Sequence, residues 1–213
     1  MRRNASTVVV LAGLAPGEVL DAVSRSMNVA LIRPAESGGD GGGRGDTGGS
    51  GDGGMAGAVE ALRRAGRATS PYALVPADPL AAVAASWQAM WDVSRQQDPA
   101  AFEQEASLAL AAWRAGRFEL PDYYLVLAPE TDDHGHDFHL GPLRSVRPHR
   151  VVLVPAAEPA QQAVGVLGAL GSLRHGPWWP ALDEVLDTAR RFYPGSLAES
   201  DAPLASVRPT GSG

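Results

Sequence analysis

The apolar positions along the chain follow two alternating periods. Charge-free runs rich in branched and aromatic residues recur at 7–14, 29–32, 72–75, 123–127 and 151–154. Each run is short and free of charge, the mark of a strand buried on both faces. Between them the apolar residues recur every three or four positions, as an amphipathic helix requires. Val19, Leu20, Val23 and Met27 do so over 18–27, and Val59 and Leu62 over 55–66. Leu80, Val83, Trp87 and Trp91 form a third set, and Phe102, Ala106, Ala109, Leu110 and Trp113 a fourth. A helix over 159–173 follows. The last set, Trp178, Leu182, Val185, Leu186, Ala189 and Phe192, is the most strongly two-faced.

Strand and helix alternate in this order, which predicts an α/β fold: three layers, with a mostly parallel central sheet of about five strands and helices on both faces. Residues 138–147 read two ways, as a short helix or as the first arm of a hairpin closed near Pro148. The three-residue spacing of Leu143 and Val146 leans towards helix. Asp78–Pro79 and Asp98–Pro99 each set an acidic cap before a proline at a helix start. Gly66 stands where a helix would close. Gly165, Gly168 and Gly171 inside one helix point to close packing on the sheet.

Glycine dominates 35–54, where Asp40, Asp46 and Asp52 recur every six residues. The composition predicts a flexible loop interrupting a single domain over 1–195, followed by a polar, disordered tail over 196–213. At 213 residues and 45% hydrophobic content the chain is long and apolar enough for one core. Arg2 and Arg3 before an apolar run resemble the start of a secretory leader. That run is brief, β-branched and ends ahead of Pro16, so it reads as a first strand. No run approaches the ~20 apolar residues that span a bilayer, and a cytoplasmic protein is expected.

Charge and absent residue types narrow the chemistry. A net charge of −6 argues against a nucleic-acid surface. The chain has no Cys, which excludes thiol nucleophiles, thiolate zinc sites and disulfides. It also has no Lys, so all 18 cations are Arg and no phosphate-loop or Schiff-base lysine exists. There is no G-x-S-x-G elbow, and residues 13–17 do not form the dinucleotide fingerprint.

One stretch concentrates acid–base and ligand capacity: Glu130, Asp132, Asp133, His134, His136, Asp137 and His139. His134, His136 and His139 have the ligand chemistry for a divalent metal such as Zn²⁺, Mn²⁺ or Fe²⁺, with Asp133 or Asp137 as a further ligand or general base. The order DDHGHD is only loosely similar to the HxHxDH motif of metallo-β-lactamase-like hydrolases. Phe138 follows Asp137 and no second histidine set follows, so no family is assigned. Arg144, Arg147 and Arg150, with His149, form a second candidate suited to a phosphate or carboxylate.

If every crossover is helical, the segments after the strands leave at one edge, and the histidine loop, Asp78 and Glu158 converge there. The leading expectation is a non-enzymatic regulatory protein binding a small molecule or a protein partner, without nucleic acid or membrane. A metal-dependent hydrolase built on the histidine loop is the rival, and a phosphate sensor using the arginines the third reading. Trp178 and Trp179 leave room for a homodimer contact.

Overall fold

The computed structural model describes residues 6–13, 17–35, 51–91, 99–127, 138–155 and 158–192, with the backbone alone at 51–53. Five strands, β1 (Thr7–Ala12), β2 (Val29–Leu31), β3 (Tyr72–Val75), β4 (Tyr123–Leu127) and β5 (Val151–Val154), form one sheet. Its order is β2-β3-β1-β4-β5 and every pairing is parallel. The opening apolar run is therefore the central strand of the fold. Val10 of β1 lies between Val75 and Tyr124 in register, and both Val9 and Val10 are fully buried.

Because side chains alternate along a strand, β1 serves two cores. Val9 and Leu11 meet α1 (Gly17–Ser24) through Val19 and Val23, and α6 (Pro159–Gly171) through Ala163, Val166 and Leu170. Val8, Val10 and Ala12 face the other layer. That layer holds α2 (Gly51–Ala65), α3 (Ala81–Ala89), α4 (Pro99–Arg114) and α7 (Leu182–Arg191). The architecture is a three-layer α/β fold. Trp87 of α3 centres the second core: it is fully buried and meets Trp91, Phe138 and Phe192 at ring distances of 6.0, 6.0 and 6.1 Å. Its indole N–H donates to the Ala189 carbonyl at 3.0 Å, which satisfies the polar edge of an otherwise apolar residue. Among the described residues no helix is long and apolar enough to cross a membrane.

Several elements depart from the sequence pattern, each for a physical reason. α1 stops at Ser24, so Met27 falls beyond its buried stripe and is 96% exposed. α2 begins at Gly51, taking the last glycines of the tract into a helix. Gly66 does not supply a left-handed cap; Gly116 does so after α4, at φ 65°. There the Arg117 N–H reaches the Ala112 carbonyl and the Gly116 N–H that of Trp113, the paired bonds of a Schellman closure. Within α6 only Gly165 needs to be small, since an added Cβ would lie 3.2 Å from Val154, whereas Gly168 and Gly171 face open space. α7 starts at Leu182 rather than Trp178 because Pro177 and Pro180 cannot donate to a helical ladder.

Residues 138–147 settle as helix, in an unusual form. His139–Leu143 is a π-helical turn that runs into a short α5 (Arg144–Val146). Pro142 sits inside it and lacks an N–H; in an α-helix its ring would also press on the Phe138 carbonyl. The wider turn lets the Leu143 N–H take that carbonyl instead, at 3.1 Å. Gly141 faces the Phe192 ring so closely that an added Cβ would lie 2.9 Å from it. Gly141→Ala is expected to lower unfolding free energy by about 1–3 kcal/mol. In a double-mutant cycle by chemical denaturation, Phe192→Ala should abolish most of that added penalty; two independent, additive losses would refute the contact.

Candidate functional site

The turn leaving β3 places Asp78 where three elements of the second face meet. Its Oδ1 accepts the Leu80 N–H at 2.9 Å, fixing the turn into α3, and the Tyr124 hydroxyl at 3.2 Å. Its Oδ2 accepts from His139 Nε2 at 2.7 Å. The Asp78 and His139 side chains are only 7% and 9% exposed. Tyr124 arrives from β4 and His139 from the π-helical turn, so the trio ties β3, β4 and the β4–β5 crossover together. The Tyr124 ring lies 5.4 Å from His139 and 5.9 Å from Trp179. Burial, then the charge and hydrogen bond of Asp78, push the Tyr124 phenol well above its usual range. It is a neutral donor at any physiological pH. Asp78 thus fixes both the orientation and the tautomer of His139, as a carboxylate does in catalytic and metal-binding pairs.

Of the histidines proposed as metal ligands, His139 belongs to this trio. His134 and His136, with Glu130, Asp132, Asp133 and Asp137, lie outside the described residues. Among the described residues no group of three or more His, Asp or Glu side chains is placed to hold a metal ion. Asp78 and Glu158 both follow carboxyl ends of strands, but β3 and β5 are separated by β1 and β4. Three strand spacings, about 14 Å, keep the two carboxylates apart.

The arginines occupy the opposite, amino edge of the sheet, before β5. Arg150 is buried, and its guanidinium donates to the carbonyls of Pro177 (2.6 Å), Asp122 (2.8 Å) and Gly176 (3.0 Å). It also lies over the rings of Tyr123 and Trp178, at 5.4 and 4.5 Å. Arg147 donates to the carbonyls of Trp178 (2.6 Å) and Val146 (2.8 Å), while Arg144 is exposed. Arg150 thus holds the chain between α6 and α7 in place, a role that arginine spacing alone does not reveal. The signal lay in the strap itself, where Pro177 and Pro180 bracket two tryptophans.

Next to Arg150, Asp122 and Val8 exchange hydrogen bonds: the Val8 N–H donates to the carboxylate at 2.7 Å and the Asp122 N–H to the Val8 carbonyl at 2.8 Å. Burial nevertheless raises the Asp122 pKa above its ordinary value of 3.8, against the pull of the Val8 N–H and Arg150. Elsewhere a shallow groove between α2 and the end of α4 is lined by Met55, Val59 and Ala112, with Glu60, Arg63 and Arg117 on its rim. Arg63 pairs with Glu60 at 3.9 Å and donates to the Arg117 carbonyl at 3.1 Å, so its polar groups serve one another.

Removing either member of the buried Asp78–His139 pair, as in Asp78→Ala or His139→Ala, is expected to cost about 3–5 kcal/mol of stability, and Tyr124→Phe about 1 kcal/mol, by denaturant titration. For Asp122 the folded pKa exceeds the unfolded one, so its contribution is full below 3.8 and is lost as pH rises through the raised folded value. Asp122→Asn keeps an acceptor for Val8 and should flatten that decline in melting temperature; an unchanged profile would refute the assignment. Comparisons with protein-family models, with curated proteins and with solved structures return no match, so the reading of this site rests on its geometry.

Proposed function

We propose that the protein is a non-enzymatic, cytoplasmic ligand-binding protein of regulatory type, with a small-molecule site at the carboxyl edge of β1 and β3. One observation carries the proposal. β1 and β3 are neighbours, yet the chain leaves them towards opposite faces, into α1 on the first layer and α3 on the second. Diverging exits of this kind open a crevice at the edge of a parallel sheet, the usual position for a ligand. Gly13 lines the β1 exit at φ 95°, where a Cβ would lie 3.0 Å from the Leu127 carbonyl. Asp78 flanks the β3 exit, held by Leu80, Tyr124 and His139. A rigid polar wall of this sort favours binding, because little freedom is lost when a ligand arrives.

A second reading, metal-dependent hydrolysis, is favoured by the Asp78–His139 bond, since a buried carboxylate commonly orients a ligating imidazole. On this reading the ligands are His134, His136 and His139, with Asp133 or Asp137 as a further ligand or general base.

Amide chemical-shift mapping during titration with a panel of small polar metabolites tests the first reading. A saturable ligand should perturb residues 11–13, 17–19 and 76–80 together. Saturable binders that leave all of these unmoved would overturn it. Metal analysis separates the second reading: about one equivalent of Zn²⁺, Mn²⁺ or Fe²⁺, lost in His134→Ala/His136→Ala, would replace the ligand-binding proposal with the hydrolase.

A further inference from the structure

We propose a second binding surface at the amino edge of the sheet, a platform centred on Trp178 for a nucleoside phosphate. It uses residues other than those of the carboxyl-edge site, on the side from which the strands enter the sheet. The chain between α6 and α7 crosses the amino edge as an extended strap held at successive points. The Tyr123 hydroxyl donates to the Arg174 carbonyl at 3.0 Å. Arg150 takes the carbonyls of Gly176 and Pro177, and Arg147 that of Trp178. The Trp179 indole N–H donates to the Pro121 carbonyl at 2.7 Å. Gly176 lies so close to the His149 ring that an added Cβ would stand 3.3 Å from it.

Alternation along this strap turns neighbouring tryptophans opposite ways. Trp179 is buried against Tyr124, whereas Trp178 is 50% exposed. One face of the Trp178 indole rests on the Arg150 guanidinium, 4.5 Å from its centroid. The result is a flat apolar surface, half open to solvent and already immobilised. Stacking on it costs little ordering entropy, and base–aromatic stacking is worth about 1–3 kcal/mol.

The rim supplies the complementary charge. Arg174 and His175 on the strap and His149 beside Gly176 are exposed, as is Arg144, three residues before the strap-binding Arg147. Neither 138–155 nor 172–182 contains an Asp or Glu, although the chain as a whole carries −6. The first acid beyond the strap, Asp183, faces Arg114 at 3.6 Å, and Asp122 is bound to the Val8 N–H. A ligand with a planar ring and an adjacent anion matches both features. An inorganic anion would use only the rim, and an uncharged nucleoside only the ring.

The test is isothermal titration of the full chain with AMP, adenosine and inorganic phosphate, with tryptophan fluorescence as a second readout. AMP should bind saturably and quench fluorescence, and adenosine and phosphate should each bind roughly tenfold or more weakly. Trp178→Leu should lose about tenfold in AMP affinity, and Trp178→Phe should restore most of it. Arg144→Ala and Arg174→Ala, at exposed positions, should weaken AMP and reduce the salt dependence of binding. The proposal fails if AMP does not bind the folded chain, if affinity is unchanged in Trp178→Leu, or if poly-glutamate displaces AMP as effectively as excess AMP does.

Discussion

Every strand of the sheet runs the same way, and β1 is hydrogen-bonded on both sides while buried on both faces. That single constraint dictates most of what surrounds it. Parallel neighbours cannot be joined by tight turns, so each connection must return across a face and cover it. All strand exits then share one edge and all entries the other. The chemistry of the molecule divides along that axis, with Asp78 on the exit side of β3 and the arginines on the entry side of β5.

The entry edge is held by charge used inward. A buried guanidinium needs several acceptors to offset its desolvation. Arg150 finds them in backbone carbonyls rather than in a carboxylate. Three carbonyls and two aromatic faces join the start of β5, the start of β4 and the strap before α7. A lysine could not bridge so many directions from one atom, which gives physical sense to an arginine at this position.

Strand positions and layers are legible because a short, charge-free run rich in branched and aromatic residues has few alternatives. Trp87, Phe102 and Tyr124 announce their burial through spacing alone. What stayed hidden depended on contacts between distant residues. Asp78 read as a helix cap, and it does hold the Leu80 N–H, but its pairing with His139 spans 61 positions. The three arginines read as one cluster, although burial separates Arg150 from Arg144. Helix ends were misplaced where a backbone detail governed them: Gly116 rather than Gly66 takes the left-handed cap, and Pro177 and Pro180 delay α7.

The π-helical turn has a consequence for how this chain tolerates changes in length. One surplus residue is stored in 139–143, so deleting Pro142 would remove both the extra residue and the ring that forbids ordinary α-helical winding. Each residue of an α-helix advances the side chains by about 100°. Such a deletion would swing the imidazole away from its carboxylate while Leu143 and Val146 kept their packing. A one-residue gap at this point in a related sequence would therefore mark a molecule with the same core but without the polar trio.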